Sequence, residues 1–349
     1  MSSPAEDVDG DIPRVGLAHG AGGKATRQLV GDVLAGGHVD AAGLTVGLDA
    51  MDDGAVIPVG DQHLVITTDS HVIQPAFFNG GDIGRLAISG TVNDLAMLGA
   101  TDVLGMTSGV IVEANYPIAD LERIAASMHE ACAEADAPIV SGDTKVMGKG
   151  ELDGVVINTA GVGIAEQITP DARLEVDDVI LVTGEVGSHG ISLLAAREGI
   201  EFGADLRSDV RPINDLIASL IDACGADIHV LKDPTRMGVA GSLNEIARKS
   251  DVGIELREER IPVSSDVKGT GEMLGLDPLQ IANEGIALVG VAPTAAAKAL
   301  EVLRAHPKGD HAAAIGKAID DHTGHVIVDT GIGRRFLREP ASEPHPRIC

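Results

Sequence analysis

The first half of the chain contains several short motifs in which an aspartate is flanked by hydroxyl groups or glycine. They lie where predicted strands end or predicted helices begin, and their aspartates are Asp53, Asp69, Asp94 and Asp143. Carboxylates that converge at the end of a sheet suit magnesium, a hard cation that takes oxygen ligands and keeps phosphate in its coordination shell. The set therefore predicts a magnesium–phosphate site, although each motif taken singly is typical of a turn or a helix cap.

Asp94 gives the strongest indication of such a site. It lies between Val92 and Leu95 in an apolar helical pattern, where a bare charge is costly unless it has a partner. Its neighbour Asn93 adds a polar side chain to the same apolar stretch. We predict that Asp94 binds metal and that Asn93 binds nucleotide.

Charged residues at four further positions extend the predicted site. Lys145 follows Asp143 by two residues and suits a phosphate oxygen or a proton, with Thr144 between them. In the second half, Asp233 and Arg236 lie in a turn that enters a helix, where the arginine can bind an anion. Glu284 lies in a turn after an apolar segment.

A glycine-rich stretch near the N-terminus precedes a predicted helix over residues 24–34. Its residues Gly22, Gly23 and Lys24 would let backbone N–H groups approach a phosphate at the helix N-terminus. The spacing is not that of a P-loop, so a mobile lid or a plain helix entry fits about as well.

The three cysteines have no metal-ligand spacing and form no even-numbered disulfide framework. Cys132 and Cys224 lie in helical patterns and are interpreted as small buried residues. Cys349 is the last residue of the sequence and follows a stretch with three prolines, which cannot hold a helix. We predict that residues 339–349 form a flexible tail with an exposed, usable thiol.

The composition excludes several classes of function. The net charge is −27 and the acids are spread along the chain, so nucleic acid and anionic membranes are poor partners. With few aromatic residues, this charge is interpreted as adaptation to high salt, in which case stability should fall as salt is removed. No apolar run is long enough to span a bilayer and no signal pattern opens the sequence, which predicts a cytoplasmic protein.

Length and periodicity predict two mixed α+β domains. The polar segment over residues 169–177 marks the predicted boundary, giving an N-terminal ATP- and magnesium-binding domain over 1–168 and a C-terminal domain over 169–338. The predicted elements include helices over 82–98, 118–134, 191–198, 213–224 and 295–305, and strands over 103–112 and 154–165.

The motifs together resemble a known family. HGAGGK, DDGAV, TTDS, SGDTKV, VLKDPTRMG, IANEG and the terminal PRIC closely resemble the HypE family of hydrogenase-maturation proteins. The acidic motifs alone indicate only the wider group of aminoimidazole ribonucleotide synthetase, selenophosphate synthetase and thiamine monophosphate kinase. The resemblance implies a two-domain PurM-like α+β fold, in which the N-terminal domains of a homodimer form a shared barrel.

The resemblance also implies a reaction. A HypF-like carbamoyltransferase loads the terminal thiol, here Cys349, and the tail folds into the ATP site. ATP then phosphorylates the carboxamide oxygen, and loss of phosphate and a proton yields a thiocyanate whose cyanide passes to iron on a HypC–HypD complex. Lys145 would stabilise the transferred group and Glu284 would take the amide proton, although the sequence leaves open which of the two is the base.

The sequence departs from the family pattern at three places. Met237 and Ile286 stand where a glycine and often a basic residue occur, and Ala21 replaces the commoner asparagine. None of these changes affects the acidic motifs, Lys145, Glu284 or Cys349.

Two alternative classes are weighed against this interpretation. One is another enzyme of the same fold, but a selenophosphate synthetase is expected to carry a reactive cysteine or selenocysteine in the glycine-rich loop, and a thiamine monophosphate kinase has no use for a terminal thiol. The other is a scaffold or metallochaperone, for which a single thiolate near His345 is a poor metal site.

Overall fold

The protein consists of two mixed α/β halves, each built on its own sheet. The structure, a computed structural model, describes residues 14–20, 23–35, 43–199 and 206–340, together with Ile348. A five-stranded sheet belongs to the first half and a seven-stranded sheet to the second. The α+β prediction is therefore confirmed. Among the described residues, no helix combines the length and hydropathy needed to cross a membrane.

The first half is a sheet covered on one face by two helices. Helix α1 (Lys24–Leu29) continues as a turn of π-helix to Leu34. The elements that follow are β1 (Ala55–Val59), β2 (Gln62–His71), β3 (Phe77–Phe78), β4 (Gly81–Asp82), α2 (Ile83–Met97), β5 (Asp102–Glu113), α3 (Ile118–Ala135), β6 (Ile139–Met147) and β7 (Val155–Ala165). The sheet order is β1-β2-β7-β5-β6, with β5 and β6 parallel. Residues of β7 alternate between buried and half-buried, as expected when one face of a sheet is covered by helices.

The second half is a sheet packed between helices on both faces. Its elements are β8 (Val179–Val182), α4 (Ser188–Arg197), α5 (Asn214–Cys224), β9 (Ile228–Lys232), α6 (Gly238–Lys249), β10 (Gly253–Arg257), α7 (Ser265–Leu274), β11 (Leu288–Val291), α8 (Ala296–Ala305), β12 (Ala313–Ile319), β13 (Val326–Asp329) and β14 (Arg334–Phe336). In β8, Ile180 and Val182 pack with α6, whereas Leu181 packs with α5 and α8. Helix α2 of the first half joins this second core through Ala96 and Met97.

Thr67–Ser70 lies at the end of β2, as predicted, because only His71 follows it in the strand. Residues 141–145 do not lie at a strand end, because they are inside β6, which runs from Ile139 to Met147. Strand β6 is a polar edge strand with no apolar alternation, so its pairing with β5 gives no local sequence signal. Strand β9 and the elements α7, β11 and β12 were not predicted.

Candidate active site

A cleft of about 620 Å³ lies between the two halves of the molecule. Helix α1, strand β2 and helix α2 contribute residues from the first half, and the turn before α6 contributes residues from the second. The cleft brings together six of the predicted site residues, namely Asp53, Asp69, Asp94, Asp233, Arg236 and Glu284. The site is thus assembled from segments that are far apart in the sequence.

Asp94 reaches the cleft from an otherwise buried helix. Within α2, only Arg85 and Asp94 are not fully buried, because the Asp94 side chain faces the cleft. Thr67 Oγ1 of β2 lies 3.0 Å from Asp94 Oδ2 and 2.8 Å from the backbone carbonyl oxygen of Asp53, and it can donate its single hydrogen to either acceptor. Burial and the nearby carboxylates Asp233, Asp69 and Asp53 raise the pKa of Asp94 well above its usual range. The charged form of this carboxyl is therefore disfavoured until a cation joins it.

Asp69 has the opposite electrostatic environment. Burial disfavours its charged form, but His71, Arg236 and the Ser70 N–H outweigh that effect and lower the pKa of Asp69. His71 is buried on the same strand, and its Nε2 lies 3.6 Å from Asp69 Oδ2. Asp69 is therefore ionised more readily than Asp94 or Asp233 in the same cleft.

A buried lysine that the sequence analysis did not single out balances these acids. Lys232, at the end of β9, donates Nζ to Asp53 at 2.8 Å and to Asp171 at 3.1 Å. Lys249 of α6 also binds Asp171, at 2.8 Å, and Glu245 at 2.9 Å. Burial opposes the charge of Lys232, but Asp53, Glu245 and Asp171 outweigh it and raise its pKa. The only sequence feature that could have indicated a role for Lys232 is its position directly before Asp233, at the end of an apolar segment.

Glu284 carries an oxygen that no described residue satisfies. The residue is 3% exposed, and its Oε1 has no hydrogen-bond partner in the described part of the chain. Burial, followed by Asp233, Asp209 and Asp69, raises the pKa of Glu284 well above its usual range. An unpaired buried carboxyl in a cleft is costly and marks a group kept for a ligand or a proton.

The turn before α6 adds an acid and a cation to the cleft. Burial and Asp53 raise the pKa of Asp233 to about 8. Arg236 has a left-handed backbone with φ of 47°, a conformation that is strained for a residue with a side chain. Met237, where the family pattern has glycine, is buried and lines the cleft.

The structure does not bring Asp143, Thr144 and Lys145 to the cleft of the same chain. All three are exposed on β6, and Lys145 Nζ contacts Asp143 Oδ2 at 2.7 Å. The sheet register explains this result. Asp143 lies in one row with Gly109, Asn158 and Ser70, whereas the adjacent row, which contains Asp69, faces α2. Asp143 therefore points to the uncovered face of the sheet and is not grouped with the other three predicted metal ligands.

Asn93 also has a different position from the one predicted. It is 1% exposed and does not line the cleft. Its Nδ2 donates to the carbonyls of Arg211 at 3.1 Å and Glu284 at 3.4 Å, and its Oδ1 accepts from the Ile213 N–H at 2.8 Å. Asn93 thus links the two halves and holds the backbone of Glu284. Because its side chain is buried between the halves, it does not line the cleft.

The glycine-rich segment lies partly outside the described residues, which exclude Gly22 and the side chain of Lys24. Gly23 is buried and caps α1, whose Thr26 and Arg27 line the cleft. Gly23 thus lies next to a helix that lines the site, and its contact with a phosphate stays a prediction.

The C-terminal segment is held at two points. Glu339 accepts from Arg27 at 2.7 and 3.1 Å and contacts Arg248 at 3.2 Å. Ile348 is 2% exposed and belongs to the core of the first half. Cys349 lies outside the described residues, but the residue before it is buried, so residues 339–349 are not free throughout.

Among the described side chains, no three histidine, cysteine or acidic residues lie close enough to hold a metal ion alone. Magnesium is commonly held by one or two carboxylates together with substrate phosphates. Asp53, whose Oδ2 has no hydrogen-bond partner in the described chain, and Asp94, whose pKa is raised by burial among carboxylates, fit that arrangement. The donor set therefore suits a cation that arrives with a nucleotide.

Comparisons with known proteins identify the class to which this fold and cleft belong. Residues 51–165 match the N-terminal domain, and residues 175–329 the C-terminal domain, of AIR synthase related protein. The chain is 42% identical to carbamoyl dehydratase HypE of Rhizobium leguminosarum bv. viciae, over 96% of this chain and 95% of that protein. It is 39% identical to carbamoyl dehydratase HypE of Escherichia coli K12, over 95% and 98%.

Solved structures agree with these relatives. A HypE–HypF complex matches with a TM-score of 0.83 and 40% identity, covering 89% of this chain and 99% of that one. HypE in complex with ATP matches with a TM-score of 0.80 and 39% identity, covering 96% and 100%. The chain is a two-domain protein of the AIR synthase-related class. Within that class, it belongs to the HypE family.

Proposed function

We propose that this protein is an ATP-dependent carbamoyl dehydratase of nickel–iron hydrogenase maturation, which converts a carbamoyl group on its own Cys349 into a thiocyanate. The observation that carries the proposal is the burial of Ile348 in the same core cluster as Ala282, two residues before Glu284 of the cleft. The carbamoyl dehydratase names of the relatives support the reaction. The ATP complex of a similar structure supports the nucleotide.

The reaction needs an activated oxygen, because oxide is too poor a leaving group for an amide to lose directly. Transfer of the γ-phosphoryl group of ATP to the carboxamide oxygen breaks the bond to ADP and creates a phosphate ester. Departure of phosphate then breaks the C–O bond and the C≡N bond forms, while one of the two N–H protons goes to a base and the other leaves with the phosphate. Catalysis of such a transfer is mostly positioning and charge neutralisation.

Glu284 is the residue that fits the role of base. The Oε1 atom of Glu284 has no hydrogen-bond partner in the described chain and is available to accept a proton. Because the pKa of this carboxyl is raised, its carboxylate form is a stronger base than an ordinary glutamate. Arg236 would bind the transferring phosphoryl group. Lys145 is exposed outside the cleft of its own chain, so its proposed role in charge stabilisation requires a second copy.

Magnesium would be held by Asp53, Asp69 and Asp94, with Asp233 beside them. When bound, it would neutralise triphosphate charge and polarise the phosphoryl oxygens. The raised pKa values of Asp94 and Asp233 support this assignment, because burial and the neighbouring carboxylates disfavour their charged forms unless a cation joins them.

The affinity for magnesium–ATP should rise with pH up to about 8. The pKa of Asp233 is raised to about 8, and burial and Asp53 raise that of Asp52 to about 7. A carboxyl must lose its proton before it binds a metal ion, so binding at neutral pH should release protons. Calorimetry in buffers of different ionisation enthalpy measures that release, which the variant Asp233→Asn should reduce. Identical heats in all buffers would contradict the prediction.

A homodimer would cover the open face of the first sheet. Ile66 and Val162 are paired on that face and only half-buried, and Leu104 is 50% exposed. A second copy packed there completes a barrel and places Asp143 and Lys145 in the interface.

Light scattering tests the dimer. We expect twice the chain mass of 35.7 kDa for the unmodified protein and a single chain mass for Val162→Lys, because a lysine ammonium cannot be buried unpaired. Ile332→Lys is the matched control, since Ile332 is fully exposed. A Val162→Lys variant that stays dimeric would place the interface elsewhere.

The proposed partners follow from the chemistry of the terminal thiol. A HypF-like carbamoyltransferase loads it, as the HypE–HypF complex of a similar structure suggests, and a HypC–HypD complex receives the cyanide. A cytoplasmic location and adaptation to high salt are part of the same proposal, supported by the net charge of −27.

Mass spectrometry of the C-terminal peptide tests the reaction. After incubation with a HypF-like carbamoyltransferase, carbamoyl phosphate and ATP, Cys349 should gain a carbamoyl group and then lose one water. Omitting ATP in the second step should stop the reaction at the carbamoyl stage. Cys224→Ala is the matched control, since its buried thiol takes no part. Full turnover by Cys349→Ala would exclude the proposal.

A further inference from the structure

The last described residue is seated by a chain of hydrogen bonds that starts at a buried histidine. His189, on the first turn of α4, lies with its Nε2 2.7 Å from the carbonyl oxygen of Ile348. Its Nδ1 lies 2.8 Å from Ser208 Oγ, which itself accepts from the Val210 N–H at 3.1 Å. His189 is 0% exposed and packs edge-on against Phe78.

These contacts fix the tautomer of the histidine. A carbonyl oxygen can only accept, so Nε2 carries the hydrogen and donates it to Ile348. Nδ1 then accepts from the Ser208 hydroxyl, and every polar atom of the imidazole is satisfied. Burial lowers the pKa of His189 to about 4, which keeps the ring neutral and this pattern intact at neutral pH.

The side chain of Ile348 occupies a slot of matching shape. A Cβ atom at Gly190 of α4 would lie 3.1 Å from Ile348 Cδ1 and 2.4 Å from Ile281 Cγ2, so only glycine leaves room there. Leu193, Val210 and Ala282 belong to the same buried cluster. The backbone carbonyl of Ile348 is thus bound by His189, and its side chain is held by the pocket at Gly190.

We infer that His189 is a positioning residue for the proposed reaction: by binding the Ile348 carbonyl, it seats the end of the chain and so presents Cys349 to the cleft. Consecutive Cα atoms are about 3.8 Å apart, so seating Ile348 confines the terminal thiol to its vicinity. Ile348 packs near the loop that carries Glu284, which is the proposed base. The inference rests on the proposed function for its purpose, but the seating can be measured without turnover.

Alkylation of the full-length protein by iodoacetamide measures the seating, with Cys132 and Cys224 as references in the same sample. Without ATP or partner, His189→Leu should raise the alkylation rate of Cys349 about tenfold, because it leaves a buried acceptor unpaired. His189→Gln, whose amide can donate to the same carbonyl, should restore slow alkylation. Ser192→Ala is the matched control, since this α4 hydroxyl binds Asn79 and Leu206 but not the terminus.

Ile348→Ala provides a second route, because it removes the seated side chain without altering α4. It should also raise the alkylation rate of Cys349 and leave that of Cys224 unchanged. If His189→Leu also exposes Cys224, Ile348→Ala and His189→Gln decide the question. Unchanged Cys349 rates in both His189→Leu and Ile348→Ala would overturn the inference. Faster alkylation combined with no water loss in the mass-spectrometric experiment would refute the function and keep the seating.

Discussion

Replacement of Glu284 by glutamine is expected to slow water loss from the carbamoylated Cys349 by at least about 100-fold, the usual range for removal of a general base. The substitution keeps the shape of the side chain but removes the group that takes the amide proton. Binding of ATP should change little, because Asp53, Asp94 and Arg236 remain in place. Single-turnover mass spectrometry of the C-terminal peptide measures the rate.

The stability of the Glu284 variant provides a further check. A carboxyl whose folded-state pKa is raised destabilises the fold progressively as pH rises above its unfolded pKa. Glu284→Gln removes that penalty, so its thermal unfolding midpoint at neutral pH should equal or exceed that of the unmodified protein. Glu272→Gln on the exposed surface of α7 should change neither quantity. An undiminished rate in Glu284→Gln would assign the base to another residue.

Asp94→Asn is expected to weaken magnesium-dependent ATP binding by about 100-fold, or about 2.8 kcal/mol at ~1.4 kcal/mol per factor of ten, since it removes one of the carboxylates proposed to hold the cation. An asparagine can still accept from the Thr67 hydroxyl, so the fold should be retained. Nucleotide titration with and without magnesium measures the loss, and Asp266→Asn on the surface is the matched control. Unchanged affinity would remove Asp94 from the site.

The substitution Asp143→Asn distinguishes a nucleotide site built from one chain from a site that a second copy of the chain completes. Within one chain, Asp143 lies on the face of the sheet that α2 does not cover, so Asp143→Asn should leave ATP binding unchanged. A loss as large as that of Asp94→Asn would show that this aspartate reaches the cleft of a second copy.

The sequence was most informative where local periodicity matched the final environment. Helix α3, predicted over 118–134, ends at Ala135, and the strand predicted over 154–165 is β7. The amphipathic pattern of α3 and the buried alternation of β7 are both local signals of packing. Strand β6 has neither signal, and only its pairing with β5 makes it a strand.

The candidate site could be predicted in part for a similar reason. Asp94 was recognisable because an acid in an apolar helix demands a partner. Asn93 has the same local surroundings, but one position along the helix turns it toward the second half, where it binds the backbone of Glu284. The contact of Lys232 with Asp171 spans 61 positions, so no short motif could reveal it.

The buried link through Asn93, together with Ala96 and Met97 in the second core, bears on how the enzyme exchanges its nucleotide. The two halves cannot move apart without exposing this buried contact to water, so opening the cleft by a hinge motion is energetically costly. Entry and exit of the nucleotide would instead depend on α1, which lines the edge of the cleft and is held by the ion pair between Arg27 and Glu339. Exchange of nucleotide would then require the Arg27–Glu339 ion pair to open.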